Sequence, residues 1–216
     1  MALFFLPLSS LADPQIIVVE SDDDDEDEDF EQENSIQICC AWSDTLADGI
    51  LTYLIDDDHT SKEQQEAVRN GIEKWDTEIK RLELEESSSK EKADIRIGFQ
   101  NNNDQGIAGQ TINNFDGYGL INNIEITIFE GTSDLEFNNE IIEQIAEHEM
   151  GHALGLGHAN FDGNLMAAQI DYGTETISDC EISGVYEANS WYLEKDDGDN
   201  TIPTYPSDDS IICDTD

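Results

Sequence analysis

With 216 residues the chain can fold one globular domain with a real core plus tails, and is too short for two full-sized domains. Nine Lys and Arg stand against 51 Asp and Glu, a formal net charge of −42, so nucleic-acid backbones and anionic membrane surfaces are repelled and no nucleic-acid partner is expected. Acidity of this kind marks a solvated surface, or clustered carboxylates that collect Ca²⁺.

Residues 1–12 hold an apolar stretch at Ala2 to Leu8 and a small-x-small sequence at Ser10-Leu11-Ala12. This is the pattern of a signal-peptide remnant without its basic start; the alternative is an ordinary apolar tail. From Ser21 to Glu33 nearly every residue is Asp or Glu, and such a run cannot bury enough apolar surface to offset the entropy of ordering it. Residues 13–40 are therefore assigned to an acidic disordered spacer or a pro-segment, and the core is expected from Ala41-Trp42 onward.

Ile50 to Ile55, β-branched and aromatic, predicts a first strand that ends at Asp56 to Asp58. Thr60 followed by Glu63 has capping-box spacing, and Val68, Ile72, Trp75 and Ile79 recur as the stripe of an amphipathic helix running to about Lys80. Leu82-Glu83-Leu84 is a short second strand, and Ala93 to Phe99 alternates with period two as a clearer third. Between Asn101 and Asn123 the chain is rich in Asn, Gly and Asp, with Gly106 to Ile112 as a short strand inside it. Ile124 to Phe129 is expected as the last strand. A helix then starts near Phe137 to Asn139 and continues through Ile141, Ile142, Ile145, Ala146, Glu149 and His152 to Gly155. Asp179 to about Asn189 reads as one more helix capped by Ser178, and residues 194–216 as an acidic tail over the surface.

No segment after the first approaches the ~18 to 20 apolar residues needed to span a bilayer. The four cysteines, Cys39, Cys40, Cys180 and Cys213, are even in number and lack CxxC spacing. Two disulfides in an oxidising compartment, hence a secreted or cell-surface location, fit better than a zinc ribbon.

The chemistry is concentrated at His148-Glu149-Met150-Gly151-His152-Ala153-Leu154-Gly155-Leu156-Gly157-His158. His148 and His152 are one helical turn apart, with β-carbons ~5 to 6 Å from each other, which allows two imidazoles to meet one Zn²⁺. Gly155 tolerates positive φ, so it can end the helix and return the chain with His158 as a third ligand. Three protein ligands leave a fourth position open, as in a catalytic rather than a structural site. Glu149, turned ~100° from the first ligand, can reach a metal-activated water, take its proton, and return it to a departing amine. A helix whose histidines merely pack, or a structural zinc, would need no glutamate at that position.

This motif, HExxHxxGxxH, together with Asn164-Leu165-Met166 shortly after it, resembles the metzincin metallopeptidases, and within them the matrixins. The likeness extends over residues 41–193, through Leu51-Thr52-Tyr53, Trp75, Ala93 to Ile97, and Ile177-Ser178. It implies an α+β fold: a twisted, mixed five-stranded sheet, two long helices, and a smaller C-terminal subdomain ending in a helix. It further implies one catalytic zinc, a polypeptide substrate, a Met166 side chain beneath the three imidazoles, and a monomer. Ile107 to Ile112, with Ile107, Ala108, Gly109 and Gln110 foremost, becomes the edge strand along which substrate pairs. The resemblance also implies a disulfide from Cys39 or Cys40 to Cys180.

Four departures qualify the likeness. Ala168 stands where astacin-like and serralysin-like relatives place a tyrosine ligand, and Ala168 and Ile170 replace the proline and tyrosine usual after the matrixin methionine. His59 is the only other histidine, so a second, histidine-rich zinc site cannot be built. Asn101 to Asp104 and Asn113 to Asp116 offer oxygens for Ca²⁺, or form ordinary polar loops. The PRCGxPD latency segment is missing, which leaves Cys39 or Cys40 either to cap the metal as a thiolate or to pair. The expected function is zinc-dependent endoproteolysis. The rivals are an inactive relative that only holds peptides, which would not need Glu149, and an acidic Ca²⁺-collecting envelope protein with a purely structural metal.

Overall fold

The strand foreseen in the β-branched run is β2, Ile50–Ile55, where Leu51, Tyr53 and Ile55 alternate into the core. In this computed structural model the described residues are 33–56, 58, 60–89, 92–101, 106–132, 135–169, 176–195 and 202–214. All of them belong to one unit, Glu33–Asp216. The proposed leader and nearly all of the acidic run lie outside the described residues.

Helix α1, Lys62–Glu78, buries Ala67, Val68, Gly71, Ile72 and Trp75 on the face that the stripe predicts. Its capping box is Ser61 with Gln64 rather than Thr60 with Glu63: the Gln64 amide donates to Ser61 Oγ at 3.1 Å, and the Ser61 amide to Gln64 Oε1 at 2.8 Å. Thr60 is committed elsewhere, because its hydroxyl accepts from Gln65 Nε2 at 2.9 Å. After α1 come β3, Glu83–Glu86, and β4, Ile95–Gln100.

Strand β5, Gly109–Phe115, begins three residues later than the sequence suggests, and β6 is Ile121–Phe129. Antiparallel pairing with β6, from Gly109 opposite Ile128 to Asn113 opposite Ile124, draws Asn113 and Asn114 into β5 against their weak strand propensity. The main sheet has the order β3-β2-β4-β6-β5, parallel except for the β5 edge. The five-stranded mixed sheet of the expected α+β fold is therefore present.

Helix α2, Asn139–Ala153, packs along α1. The two come so close at Gly71 that a β-carbon there would lie 2.6 Å from the Glu143 carbonyl oxygen. Polar ties hold the approach: Trp75 Nε1 donates to the Glu147 carbonyl at 2.8 Å, and Lys74 Nζ reaches the buried Glu147 carboxylate at 2.6 Å.

β6 is not the last strand. Leu156–Ala159 forms β7, and a second sheet of order β7-β1-β8 unites it with β1, Ser35–Ile38, and β8, Ser210–Ile212. β1 thus lies in the stretch assigned to a spacer and β8 in the stretch assigned to a tail. Between β7 and β8 lie α3, Asp179–Ala188, capped by Ser178 as expected, and the short α4, Ser190–Leu193. A buried network joins these parts: Asn189 Oδ1 accepts from the Trp42 amide at 3.0 Å, while Asn189 Nδ2 donates to the Leu154 carbonyl at 2.8 Å.

All four cysteines are paired, but not as the resemblance implies: the bonds are Cys39–Cys40 and Cys180–Cys213. The cause is β8. Pairing of Ile212 with Ser35 sets the next residue, Cys213, beside the start of α3, with its Cα 5.4 Å from that of Cys180, inside the span a disulfide bridges. Neither Cys39 nor Cys40 is left as a thiolate.

Candidate metal centre and cleft

Along α2 the helical repeat places His148 and His152 on one face, their ring centroids 4.7 Å apart. Gly155, at φ 104°, ends the turn after the helix. A β-carbon there would sit 2.9 Å from that of Ala188, so the close packing as well as the backbone angle requires glycine. The chain then enters β7 and presents His158, whose ring lies 4.9 Å from that of His152 and 5.7 Å from that of His148. One ligand-capable atom from each of the three falls within 4.8 Å of the others, a group able to hold a metal ion.

Their surroundings suit zinc. The Leu165 carbonyl lies 2.6 Å from His148 Nδ1, and the Leu156 carbonyl 2.9 Å from His152 Nδ1. A carbonyl can only accept, so each Nδ1 carries the proton and each Nε2 keeps its lone pair for a metal. Burial pushes His148 down to about 4 and His152 to about 3, and lowers His158 as well, so the rings are neutral near pH 7, the form that ligates. Three imidazoles without a thiolate are a donor set typical of catalytic zinc.

Glu149 is buried between α2 and β5. Its carboxyl is pushed up to about 7 by burial, partly offset by the Thr111 hydroxyl, which donates to Oε2 at 2.6 Å. Met166 is fully buried, and a β-carbon on Gly151 would come within 3.1 Å of its methyl carbon. Met166 is fixed by its own turn: its amide donates to Asn164 Oδ1, and its carbonyl accepts from the Ala159 amide, both at 2.8 Å.

A cleft of about 720 Å³ opens onto these groups. Its walls include His148, Glu149, His152 and His158 together with Ile107, Ala108, Gly109 and Gln110, so the structure gathers the candidate ligands, the candidate base and the candidate substrate strand in one place. Met166 stands outside the cleft lining. Ala168 and Gln169 reach the cleft, whereas Ile170, His59 and residues 102–104 lie outside the described residues.

The matrixin family profile matches residues 41–187, well over half of the chain. The chain belongs to the matrixin family. That family is zinc-dependent and proteolytic, which agrees with the donor set of this matrixin. No curated protein matches the chain. The sequence places Thr111 only within the expected edge strand and gives no sign of its bond to Glu149. Strand alternation puts it on the same face as Gly109, but nothing in the sequence says that this face meets α2. Of the loop residues considered for calcium, Asp116 Oδ1 accepts from the amides of Tyr118 and Leu120 as in an ordinary turn, while Asn113 and Asn114 lie in β5, where Asn114 Nδ2 donates to Asn123 Oδ1 across the strands.

Proposed function

We propose that this matrixin is a zinc-dependent endopeptidase of extended polypeptides, with His148, His152 and His158 as ligands and Glu149 as general base. The observation that supports this reading is that the buried Glu149 side chain lines one cleft with the three imidazoles and accepts a hydrogen bond from Thr111 of the edge strand β5. Zinc, when bound, supplies a Lewis acid that activates water near neutral pH and draws charge from the scissile carbonyl.

The chain does the rest. Among the described residues β5 pairs only with β6, so its outer edge offers backbone groups along which a polypeptide can lie as an added strand. Glu149 accepts the proton of the attacking water and hands it to the leaving amine. Met166 supports the imidazoles from below. The catalytic unit comprises residues 41–193 enlarged by β1 and β8, and it works as a secreted or cell-surface monomer. Two disulfides, and the lack among the described residues of a helix long and apolar enough to cross a membrane, support that location. Calcium is not required by this reading.

The test contrasts two variants by zinc content and by cleavage of a quenched peptide. Glu149→Ala retains about one zinc per chain and loses about 10²-fold or more in turnover, the usual worth of a general base. His152→Ala loses both metal and activity. A Glu149→Ala protein that binds zinc and cleaves as fast as the parent refutes the mechanism.

A further inference from the structure

A general base at the end of a three-torsion side chain is useful only if its oxygen stays in place, and in this molecule β5 supplies the restraint. Residues two apart on a strand share a face, so Gly109 and Thr111 both look toward α2. At Gly109 there is no side chain: a β-carbon would stand 2.7 Å from Glu149 Cγ, so the carboxyl fits only because the position is glycine. At Thr111 there is a donor, 2.6 Å from Glu149 Oε2 and 3.2 Å from the Glu149 carbonyl oxygen. Glu149 itself is only 4% exposed, where an unanchored carboxylate would be costly.

We propose that Thr111 is a positioning residue for the general base: its hydroxyl anchors Oε2, while Gly109 leaves the space that the carboxyl occupies. The inference rests on the endopeptidase reading above and adds a coupling to it. The strand that aligns the substrate backbone also aligns the base, so the distance between scissile bond and proton acceptor is set within one rigid element. A hydroxyl that merely tied β5 to α2 would affect stability, metal content or substrate affinity. An anchor for the base affects turnover.

The experiment uses the zinc-loaded full chain with Thr111→Val, which keeps the shape and removes the donor, and Thr111→Ser, which keeps the donor. Thr111→Ala replaces the valine variant if that one does not fold. Expected for Thr111→Val is a fall in kcat of about ten- to a hundredfold, the worth of a hydrogen bond to a charged group, with KM within about twofold of the parent and zinc content unchanged. Thr111→Ser restores kcat to within about threefold of the parent. Crystal structures give a readout independent of turnover: the Glu149 carboxyl holds its place in the parent and in Thr111→Ser, and leaves it or takes several rotamers in Thr111→Val. A valine variant with parental kcat, a loss confined to KM, or a serine variant as slow as valine overturns the proposal while leaving the peptidase reading intact. A zinc-loaded parent that cleaves no peptide overturns that reading instead. The crystal structures then decide the anchor alone, and an unmoved Glu149 in Thr111→Val refutes it.

Discussion

Alanine in place of glycine inside a helix ordinarily stabilises by about 1 kcal/mol, and at Gly71 the structure reverses the sign. The added β-carbon would meet the Glu143 carbonyl oxygen at 2.6 Å and the Glu147 amide nitrogen at 3.0 Å. Both are main-chain atoms of α2 and cannot rotate away. To reach ordinary contact at 3.4 Å the helices must separate by about 0.8 Å, against the Trp75 and Lys74 bonds that hold them together. Overpacking of this kind costs about 1–3 kcal/mol. With backbone on the opposing side the upper end applies, and subtracting the helix gain leaves a net loss of about 2 kcal/mol. For a chain of this length that is a drop in Tm of roughly 4–8 °C. The displaced part of α2 runs directly into His148, so zinc affinity falls as well. Urea unfolding followed by tryptophan fluorescence, with zinc titration beside it, measures both. Gly98→Ala, where nothing lies within 4 Å of the new carbon, is the matched control and loses no stability. A Gly71→Ala protein as stable as the parent would show that the helices are not held at the described distance.

Two further outcomes follow from burial and charge. Asn189→Ala strips the partners from the buried Trp42 amide and Leu154 carbonyl. At about 1–3 kcal/mol for each orphaned group, the summed loss is roughly 2–6 kcal/mol, and an unchanged urea midpoint would contradict it. With a net charge of −42, self-repulsion weakens the folded state at low ionic strength. Raising NaCl from 0.1 to 1 M shortens the screening length from about 10 to about 3 Å, so Tm should climb by at least a few degrees; a flat or falling curve in calorimetry refutes this.

What could be read from the sequence is what depends on local period and spacing. Ile50 to Ile55 carries its strand in its own β-branched residues, Val68 to Trp75 its helix in the apolar stripe, and Ser178 its cap by chemistry alone. The histidines were legible because i, i+4 spacing on a helix and a glycine before the third ligand are local geometry. What was not legible depends on distant partners. Asn113 and Asn114 join β5 only because β6 lies alongside. The three residues of β8 are too few to show a period, and they form a strand only against β1. That unseen pairing is also why Cys180 bonds Cys213 and not the N-terminal cysteines. Thr111 escaped for the same reason, since its partner is 38 residues away.

The small sheet β7-β1-β8 sets the order in which the surroundings of the third histidine form. β7 bears His158, its neighbour β1 belongs to the first described residues, and β1 is flanked on its other side by β8, the last strand among the described residues. Pairings between residues so far apart close late, because their loop entropy must be met before any contact rewards it. During synthesis the strand beside His158 therefore gains its second neighbour only after Ser210 to Ile212 have left the ribosome. A chain clipped before Ser210 keeps all three histidines but leaves β1, the neighbour of the strand that carries His158, with one edge open.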